Sequence, residues 1–332
     1  MNDFLRLPIG DWVEAVVDWI TTYLGGVFSV IRAIFLSMYD FADWVLGEPP
    51  FWIIVVLIGL LAWYLRGWRF GALVAVGLLI IKSVRQWDNA MDTLALTLVA
   101  TVIAVIISIP VGIWAARSDR VSRVVRPILD FLQTMPAFVY LIPALILFRV
   151  GVVPGIVATI AFAVAPGVRL TELGIRGVDR EVVEAGHAFG TSPKRILFQI
   201  QLPLAKPTIM AGINQVIMLS LSMVVIASMV GASGLGKPII QAVQRIDVGL
   251  GFEAGLAVVI IAIMLDRLTA TLGTGRQKRK APAEPAESET SVADTATGTA
   301  EPATVGASAA PAGGDAQPPI ARTTASGGKE NK

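Results

Sequence analysis

The chain contains 332 residues, of which 55% are hydrophobic and 16% are charged, whereas a typical soluble domain has about 45–50% apolar and about 25% charged residues. With a mean hydropathy of +0.69, this composition excludes an ordinary soluble enzyme and favours an integral membrane protein. The chain has no cysteine, one histidine (His187) and a formal net charge of +2. These counts exclude disulfides, thiolate metal ligands and cysteine nucleophiles, and they argue against histidine metal clusters and Ser-His-Asp triads.

Residues 1–50 are predicted to form an amphipathic N-terminal segment that is external or lies in the membrane interface. Aromatic and acidic residues are mixed here, which suits the membrane interface better than its centre. The residues concerned are Trp12, Trp19, Phe28, Phe35 and Trp44 with Asp11, Glu14, Asp18, Asp40 and Asp43. A helical pair packed on a partner subunit would explain the pattern equally well.

The following apolar sequence forms seven long runs that we predict to be transmembrane helices. They cover residues 51–65, 70–81, 94–115, 128–148, 153–168, 207–230 and 254–272. The first two, within residues 51–91, are predicted accessory helices. The first, second and fifth runs are shorter than the about 20 residues that a bilayer core of about 30 Å requires, so the count varies by one or two. The predicted fold is an all-α integral membrane protein, a polytopic helical bundle of about seven transmembrane helices.

Basic residues predict the orientation of the bundle, because cytoplasmic loops carry an excess of lysine and arginine. With seven crossings, four basic groups fall on one side, and these lie at residues 66–69, 117–126, 169–206 and 276–280. The segment before Pro49 contains seven acidic and two basic residues. The sequence therefore predicts a multi-pass protein of the cell membrane (inner or plasma membrane) with an external N-terminus and a cytoplasmic C-terminal tail.

That tail, residues 274–332, is predicted to be disordered. It is rich in Ala, Pro, Glu, Thr, Ser and Gly and contains no aromatic residue, so it cannot bury enough apolar surface to offset the entropy of ordering. A tether, a regulatory segment and a dispensable extension all fit this composition.

The most patterned connection is the cytoplasmic loop at residues 176–206. Asp179 can cap a helix whose apolar positions are Val182, Ala185, Gly186 and Phe189. Gly190 supplies a left-handed residue after that helix, and Ser192-Pro193 can start another. Ile196, Leu197 and Ile200 form a second apolar stripe, which Leu202-Pro203 is expected to end. Two helices this short cannot hold a core of their own, so we expect them to dock on another protein.

This loop resembles the coupling loop of ABC importer permeases. Glu184-Ala185-Gly186, Gly190 and Ile200-Gln201-Leu202-Pro203 match the family pattern E-A-A-x3-G-x9-I-x-L-P, with Gly186 in place of the second alanine. That replacement is expected to preserve the contact surface and to cost about 1 kcal/mol of helix propensity if the site is exposed. The resemblance implies that Glu184, Ala185, Gly186, Gly190, Ile200, Leu202 and Pro203 belong to an element seated in a groove of the ATPase subunit.

The similarity extends over roughly residues 92–273. Residues 132–143, 207–215, 222–229 and 265–269 resemble segments of permeases for glycine betaine and related quaternary amines. The resemblance implies that residues 92–273 form a type I ABC importer permease core that carries glycine betaine, proline betaine or a related osmoprotectant. Arg149 departs from the family, in which a small residue follows the phenylalanine at this position.

The resemblance also implies partners. They are cytoplasmic ABC ATPase subunits, an external substrate-binding protein and a second permease copy, giving a homodimer in the lipid bilayer, with no nucleic acid. The chain itself is expected to bind no cofactor, since ATP and Mg are used by the partner ATPase. It is therefore expected to be a transport subunit without enzymatic activity of its own.

The sequence defines the substrate path less clearly than it defines the cytoplasmic loop. A cationic methylammonium group is attracted to aromatic faces, which makes Phe131, Phe138 and Tyr140 candidates, although aromatic residues in apolar helices more often serve packing. Met135, Met223 and Asn214 complete the candidate set, and the methionines also suit adaptable filling between moving helices.

Several alternatives stay open at this stage. The same fold could carry choline, carnitine or an amino acid. A stand-alone secondary transporter or channel would need ionisable residues at mid-span, of which the sequence has almost none; Asp130 and Glu172 lie near span ends and are expected to reach water. A membrane enzyme lacks a convergent polar cluster. Residues 231–238 nearly fit a phosphate-binding loop, but Pro238 stands where a hydroxyl must bind magnesium. An external glycine-rich turn is the favoured interpretation.

Overall fold

A computed structural model describes residues 9–273, and the regular structure of these residues is entirely helical. The first six helices are α1 (Ile9–Leu46), α2 (Phe51–Arg66), α3 (Trp68–Ser83), α4 (Trp87–Arg117), α5 (Asp119–Thr134) and α6 (Ala137–Phe148). They are followed by α7 (Val152–Arg176), α8 (Arg180–Ala188), α9 (Pro193–Ile196), a π-helical turn (Leu197–Gln201), α10 (Leu202–Ser228), α11 (Gly236–Arg245) and α12 (Val248–Gly273). The predicted tail at 274–332 and the first eight residues of the N-terminal segment lie outside the described residues.

In the described part of the chain, fewer than seven helices are long and apolar enough to cross a membrane. Five helices are long and apolar enough to cross a membrane, and six crossings result if α5 and α6 count together as one. Neither α2 nor α3 is among them, because each has 16 residues, about 24 Å at 1.5 Å per residue, against a bilayer core of about 30 Å. Conversely, α1 is one of the five helices that are long and apolar enough to cross a membrane.

Helices α2 and α3 form a tight hairpin. Gly67, with a φ of 99°, is the only residue between them. A Cβ atom on Gly71 would lie 2.9 Å from the carbonyl oxygen of Gly59 and 2.8 Å from the Cβ atom of Trp63, so the two helices touch where both have small residues. The chain therefore leaves this hairpin on the side where it entered.

The N-terminal helix α1 is a single unbroken helix of 38 residues, so the alternative of a helical pair is wrong. Phe28 contacts Phe148 at the end of α6, edge to face, with ring centroids 5.3 Å apart. Tyr39 lies with its hydroxyl 3.5 Å from a carboxylate oxygen of Asp92, in the second turn of α4. Since α4 leads away from this side and α5 and α6 lead back, both contacts are made at the same end of the bundle.

The predicted span at 128–148 is broken rather than straight. Helices α5 and α6 meet at an angle of 99° at Met135 and Pro136. Met135 has extended backbone angles (φ −72°, ψ 138°), as expected for a residue before proline. Helix α5 already begins at Asp119 and contains Arg120, Arg123 and Arg126, so the basic stretch predicted to be a loop is helical.

The core of the bundle is formed by α4, α7 and α10, which approach closely at glycines. A Cβ atom on Gly112 of α4 would lie 2.5 Å from the Cβ atom of Thr171 in α7. A Cβ atom on Gly212 of α10 would lie 2.9 Å from that of Leu170, also in α7. Small residues at such crossings allow the close backbone packing that is typical of helices in membranes.

Candidate functional site

The start of the loop at 176–206 has the predicted local structure. The side chain of Asp179 accepts a hydrogen bond of 3.0 Å from the backbone N–H of Glu181 and so caps α8. Gly190 has a φ of 73°, the left-handed conformation that ends this helix. Pro193 occupies the first turn of α9 after Ser192. The prediction of two short helices around a glycine is confirmed for α8, Gly190 and the start of α9.

The end of the loop differs from the prediction. Leu202-Pro203 does not end the second helix, because the chain continues from α9 through the π-helical turn into α10. Pro203 lies in the first turn of α10, where a missing backbone N–H breaks fewer helical hydrogen bonds. The second apolar stripe is therefore the first part of a long helical segment that continues to Ser228, so it is directly connected to the bundle.

The apolar positions of α8 divide between two faces. Val182, Ala185 and Phe189 point outward, with Val182 41% and Phe189 88% exposed; we call these three residues the outer face of α8. Gly186 is buried, and a Cβ atom there would lie 3.0 Å from Cδ1 of Ile200 and 3.4 Å from Cγ1 of Ile196. Gly186 therefore supports the contact surface from beneath, since its missing side chain makes room for the second helix.

The other residues of the loop motif also separate by exposure. Glu184, Pro203 and Gly190 are exposed, whereas Ile200 is half-buried. Leu202 packs against a small apolar cluster beneath the loop that contains Ile175, Val178, Leu197, Ala205 and Ile209. The motif therefore combines residues that support the loop from inside with residues that are free to meet a partner.

A buried carboxylate lies at the base of the loop, near the end of α7. Glu172 is 3% exposed and accepts hydrogen bonds from Ser122 Oγ at 2.7 Å and from Arg126 Nη2 at 2.9 Å, both in α5. Nε of Arg176, one turn further along α7, lies 3.1 Å from the same carboxylate. The expectation that Glu172 reaches water is wrong, because the helix α5 covers it.

Arg176 extends this group of contacts to two more helix ends. Its Nη1 atom lies 2.7 Å from Oδ1 of Asp119 at the start of α5, and its Nη2 atom donates 2.9 Å to the carbonyl of Ala115 in the last turn of α4. We call Asp119, Ser122, Arg126, Glu172 and Arg176 the Glu172 cluster. A further ion pair, Arg169 with Asp130, also joins α7 to α5. These charge-assisted hydrogen bonds fix the helix end that leads into α8.

Sequence reasoning missed the Glu172 cluster because its members come from distant segments. The one signal available was the spacing of Glu172 and Arg176, which allows an ion pair between successive turns of a helix. The helix α5 places Ser122 and Arg126 against Glu172 of α7, and nothing in the charge pattern indicated this contact.

The candidate substrate-path residues differ strongly in exposure. Phe131 and Phe138 are 64% and 53% exposed, whereas Tyr140 is 8% and Met223 0% exposed. Met135 lies at the bend between α5 and α6 and packs against the apolar core that contains Tyr140 and Met223. Only the two phenylalanines therefore present substantial surface in this structure.

Two of these candidates have notable polar surroundings. In the described part of the chain, no hydrogen-bond partner is found for the hydroxyl of Tyr140, whose ring meets Phe162 at a centroid distance of 6.2 Å. Asn214 donates to Oδ1 of Asp266 at 3.1 Å and accepts from Oγ1 of Thr269 at 2.6 Å. Asn214 thus links α10 to α12, and this role accounts for its side chain without a substrate.

The glycine-rich stretch at 231–238 is a turn followed by the helix α11. The backbone N–H of Leu235 donates to Oγ1 of Thr93 at 2.8 Å, and that of Gly236 donates to Oγ of Ser228 at 3.1 Å. A phosphate-binding loop needs such N–H groups to be free. The interpretation as a turn is therefore confirmed, and these two N–H groups are used to dock the turn on α4 and α10.

Comparison with known proteins agrees with the helix arrangement. Residues 108–274 match the family described as "Binding-protein-dependent transport system inner membrane component". The glycine betaine/carnitine transport permease protein of Listeria monocytogenes is 48% identical over 273 residues, which is 81% of this chain and 96% of the relative. The glycine betaine/proline betaine transport system permease protein of Escherichia coli is 44% identical over 274 residues, 82% of this chain and 77% of the relative.

A solved structure shares the fold at lower similarity. The inward-facing methionine ABC transporter MetNI contains a chain that superposes with a TM-score of 0.53 at 20% sequence identity, covering 57% of this chain and 94% of that chain. This likeness establishes the arrangement of the core helices as a type I importer permease fold.

Proposed function

Since the chain belongs to the family of inner membrane components of binding-protein-dependent transport systems, and is a multi-pass transport component of the membrane, we propose that it imports glycine betaine, proline betaine or a related osmoprotectant. The observation that carries the substrate is the 44–48% identity, over more than four-fifths of this chain, to permeases named for these compounds. Carnitine stands in the name of the Listeria relative and is therefore the second candidate. Choline and amino acids have no comparable support.

The outer face of α8 is proposed as the surface that meets a cytoplasmic ATPase subunit. A phenylalanine that is 88% exposed at the end of a nine-residue helix is expensive to leave in water and suits a pocket on a partner. Glu184 and Ala185 lie beside it on the exposed surface. The chain is proposed to bind no nucleotide itself, so ATP and Mg act in the ATPase.

The Glu172 cluster gives this surface a route into the membrane. A movement of α8 reaches the last turn of α7. The hydrogen bond that Glu172 accepts from Arg126 and the contacts of Arg176 with Asp119 and Ala115 pass the movement to α5 and to the end of α4. Helix α5 is joined to α6 by the bend of 99°, at the level of Met135 and Phe138. ATP-driven closure of two ATPases would thereby turn the path between two permease copies outward, and hydrolysis would reset it.

The proposed orientation has α8 in the cytoplasm, the N-terminus outside and the C-terminal tail inside. Whether or not the hairpin of α2 and α3 crosses the bilayer, it returns the chain to the side of α1. The number of crossings before α4 is therefore even if α1 lies along the external membrane surface and odd if α1 itself crosses, and the proposed external N-terminus requires the first arrangement. From α4 onward the chain crosses five times if α5 and α6 form one crossing. An external binding protein would then deliver substrate at the side of α11, and a second copy of this chain would complete the path.

An uptake assay tests the substrate. The permease is reconstituted in liposomes with its ATPase and binding protein, and accumulation of radiolabelled glycine betaine is followed with excess unlabelled proline betaine, carnitine, choline or proline outside. We expect ATP-dependent uptake that proline betaine suppresses most strongly. Uptake that carnitine suppresses equally would assign the second candidate, whereas no ATP-dependent betaine uptake would overturn the proposal.

A further inference from the structure

Arg149, at the end of α6, has a backbone conformation that is nearly exclusive to glycine. Its φ is 63° and its ψ is 167°, a region in which a Cβ atom clashes with the neighbouring backbone. Gly151, two residues on, has a comparable conformation with φ 145° and ψ −160°, and there no side chain is strained. An arginine retained at such a position points to a function of its side chain, because glycine would fit the turn better.

The strained arginine borders a cleft between α1 and the end of α6. The cleft has a volume of about 350 Å³ and is lined by Thr21, Gly25, Phe28, Ser29, Arg32 and residues 146–149. Two of these residues, Arg32 and Arg149, are cationic, and no carboxylate is among them. Among the side chains that the structure describes, neither arginine has an ion-pair partner within 4 Å, whereas Arg126, Arg169, Arg176 and Arg267 do. The cleft therefore holds two positive charges without a counter-charge of its own.

The position of the cleft indicates where a counter-charge would come from. Helix α1 touches the bundle at the end of α6 and at the beginning of α4, both at the same end of the bundle, where the helices reach the membrane surface. Trp19 and Tyr23 of α1 lie beside each other with ring centroids 5.4 Å apart, and they are 58% and 73% exposed. Aromatic side chains of this kind concentrate at the level of lipid headgroups, where phosphate groups are abundant.

We propose that this cleft binds the phosphate of an anionic phospholipid, with Arg32 and Arg149 donating to its oxygens. Guanidinium groups match phosphate in a two-pronged geometry, and basic pockets between membrane helices suit lipid headgroups. The bound lipid ties α1 to the end of α6 and supplies the missing negative charge. The site requires only that the chain lies in a membrane, so it is independent of the transported substrate.

Lipid titration tests the site on the intact permease with its ATPase subunits. Phosphatidylglycerol is added to the detergent-solubilised complex, and retained lipid is counted by native mass spectrometry. A parallel melting temperature is recorded in phosphatidylcholine nanodiscs with and without phosphatidylglycerol. Arg149→Ala removes the charge but keeps the strained backbone, whereas Arg149→Gly removes the charge and also relieves the strain. Arg149→Lys keeps a positive charge, and Arg32→Gln removes the second charge of the cleft. Arg123→Gln is the matched control, since Arg123 is exposed on α5 away from the cleft.

We expect phosphatidylglycerol to bind the Arg149→Ala, Arg149→Gly and Arg32→Gln variants at least about tenfold more weakly than the wild type, equivalent to about 1.4 kcal/mol. The Arg149→Lys variant should lose less affinity for phosphatidylglycerol, and the Arg123→Gln variant should bind it as the wild type does. In phosphatidylcholine alone, Arg149→Gly should melt higher than Arg149→Ala, because only glycine relieves the backbone. Equal lipid retention by wild type and all cleft variants would overturn the proposal. Inorganic phosphate that raises the melting temperature as much as phosphatidylglycerol would retain the oxyanion site but overturn lipid as its occupant.

Discussion

The two sides of the short helix α8 differ in what holds them. Its outer face ends in Phe189, which is 88% exposed and therefore only weakly held by the described part of the chain. Its inner side rests on Ile196 and Ile200 through Gly186, and the helix before it is fixed by the Glu172 cluster, whose central carboxylate is 3% exposed. The inner side of α8 is thus packed within the chain, whereas its outer face is exposed to solvent.

This difference suggests a division between support and contact. Residues that transmit force need hydrogen-bond and packing partners within the chain. A flexible connection would otherwise absorb a movement before it reached the membrane helices. Residues that receive a partner need to stay free until the partner arrives. Substitutions on the two sides should therefore change different measured quantities, and the following variants test that separation in order of decreasing effect.

Replacement of Glu172 by alanine should have the largest effect. It leaves Ser122, Arg126 and Arg176 without their shared acceptor, and removing one member of a buried ion pair destabilises by about 3–5 kcal/mol. Because Arg126 is 60% exposed and can be hydrated, we expect a value near the lower end. Melting of the permease in nanodiscs measures it. The control Glu184→Ala, an exposed acid on α8, should change stability by less than about 0.5 kcal/mol, and equal losses for both variants would refute the role of the cluster.

The Phe189→Ser variant should act on the partner instead. The isolated permease should melt at the wild-type temperature, since this side chain is 88% exposed and buries little surface in the described part of the chain. Affinity for the ATPase, measured by co-purification and titration, should fall by about 2 kcal/mol, or about 30-fold, as expected for an aromatic anchor at an interface. Phe252→Ser is the matched control, because Phe252 is 70% exposed at the opposite end of the bundle. Unchanged ATPase affinity in Phe189→Ser would remove α8 as the docking element.

The Gly190→Ala variant tests the turn that separates the two sides. The φ of 73° costs a residue with a Cβ atom about 1–2 kcal/mol, although nothing lies within 4 Å of that atom. We expect a modest decrease in melting temperature together with reduced stimulation of the ATPase by substrate. Gly255→Ala, a glycine in α12 with open space around it, should not be destabilising, and a similar loss there would mean that left-handed geometry is not the cause.

The smallest effect is expected for Gly186→Ala, which restores the alanine of the family pattern. The added methyl group would meet Cδ1 of Ile200 at 3.0 Å, the end of a side chain that can rotate. The gain in helix propensity, about 1 kcal/mol, should offset most of this contact. Melting temperature and ATPase affinity should both stay near wild type. A large loss of stability would show that the packing beneath α8 is more rigid than we infer.

Much of the local structure was predictable because it depends on neighbours in the sequence. Asp179, Gly190 and Pro193 define helix ends through capping, left-handed geometry and a fixed φ, and each lies where predicted. The apolar runs located the helices, but their ends were displaced. α7 continues to Arg176 and α10 begins at Leu202, since charged residues continue a helix beyond the membrane, where water can solvate them.

The sequence by itself determined the class of the molecule, a helical bundle in a membrane with a patterned loop, because hydropathy and turn chemistry act over short distances. The tertiary structure decided which side of each helix is buried and which neighbour it contacts. The packing of α5 on α7 buries Glu172, and the second helix of the loop covers Gly186. The course of α1 places Arg32 and Arg149 on the lining of one cleft. These contacts join residues far apart in the chain, and no periodicity within one helix records which neighbour it will meet.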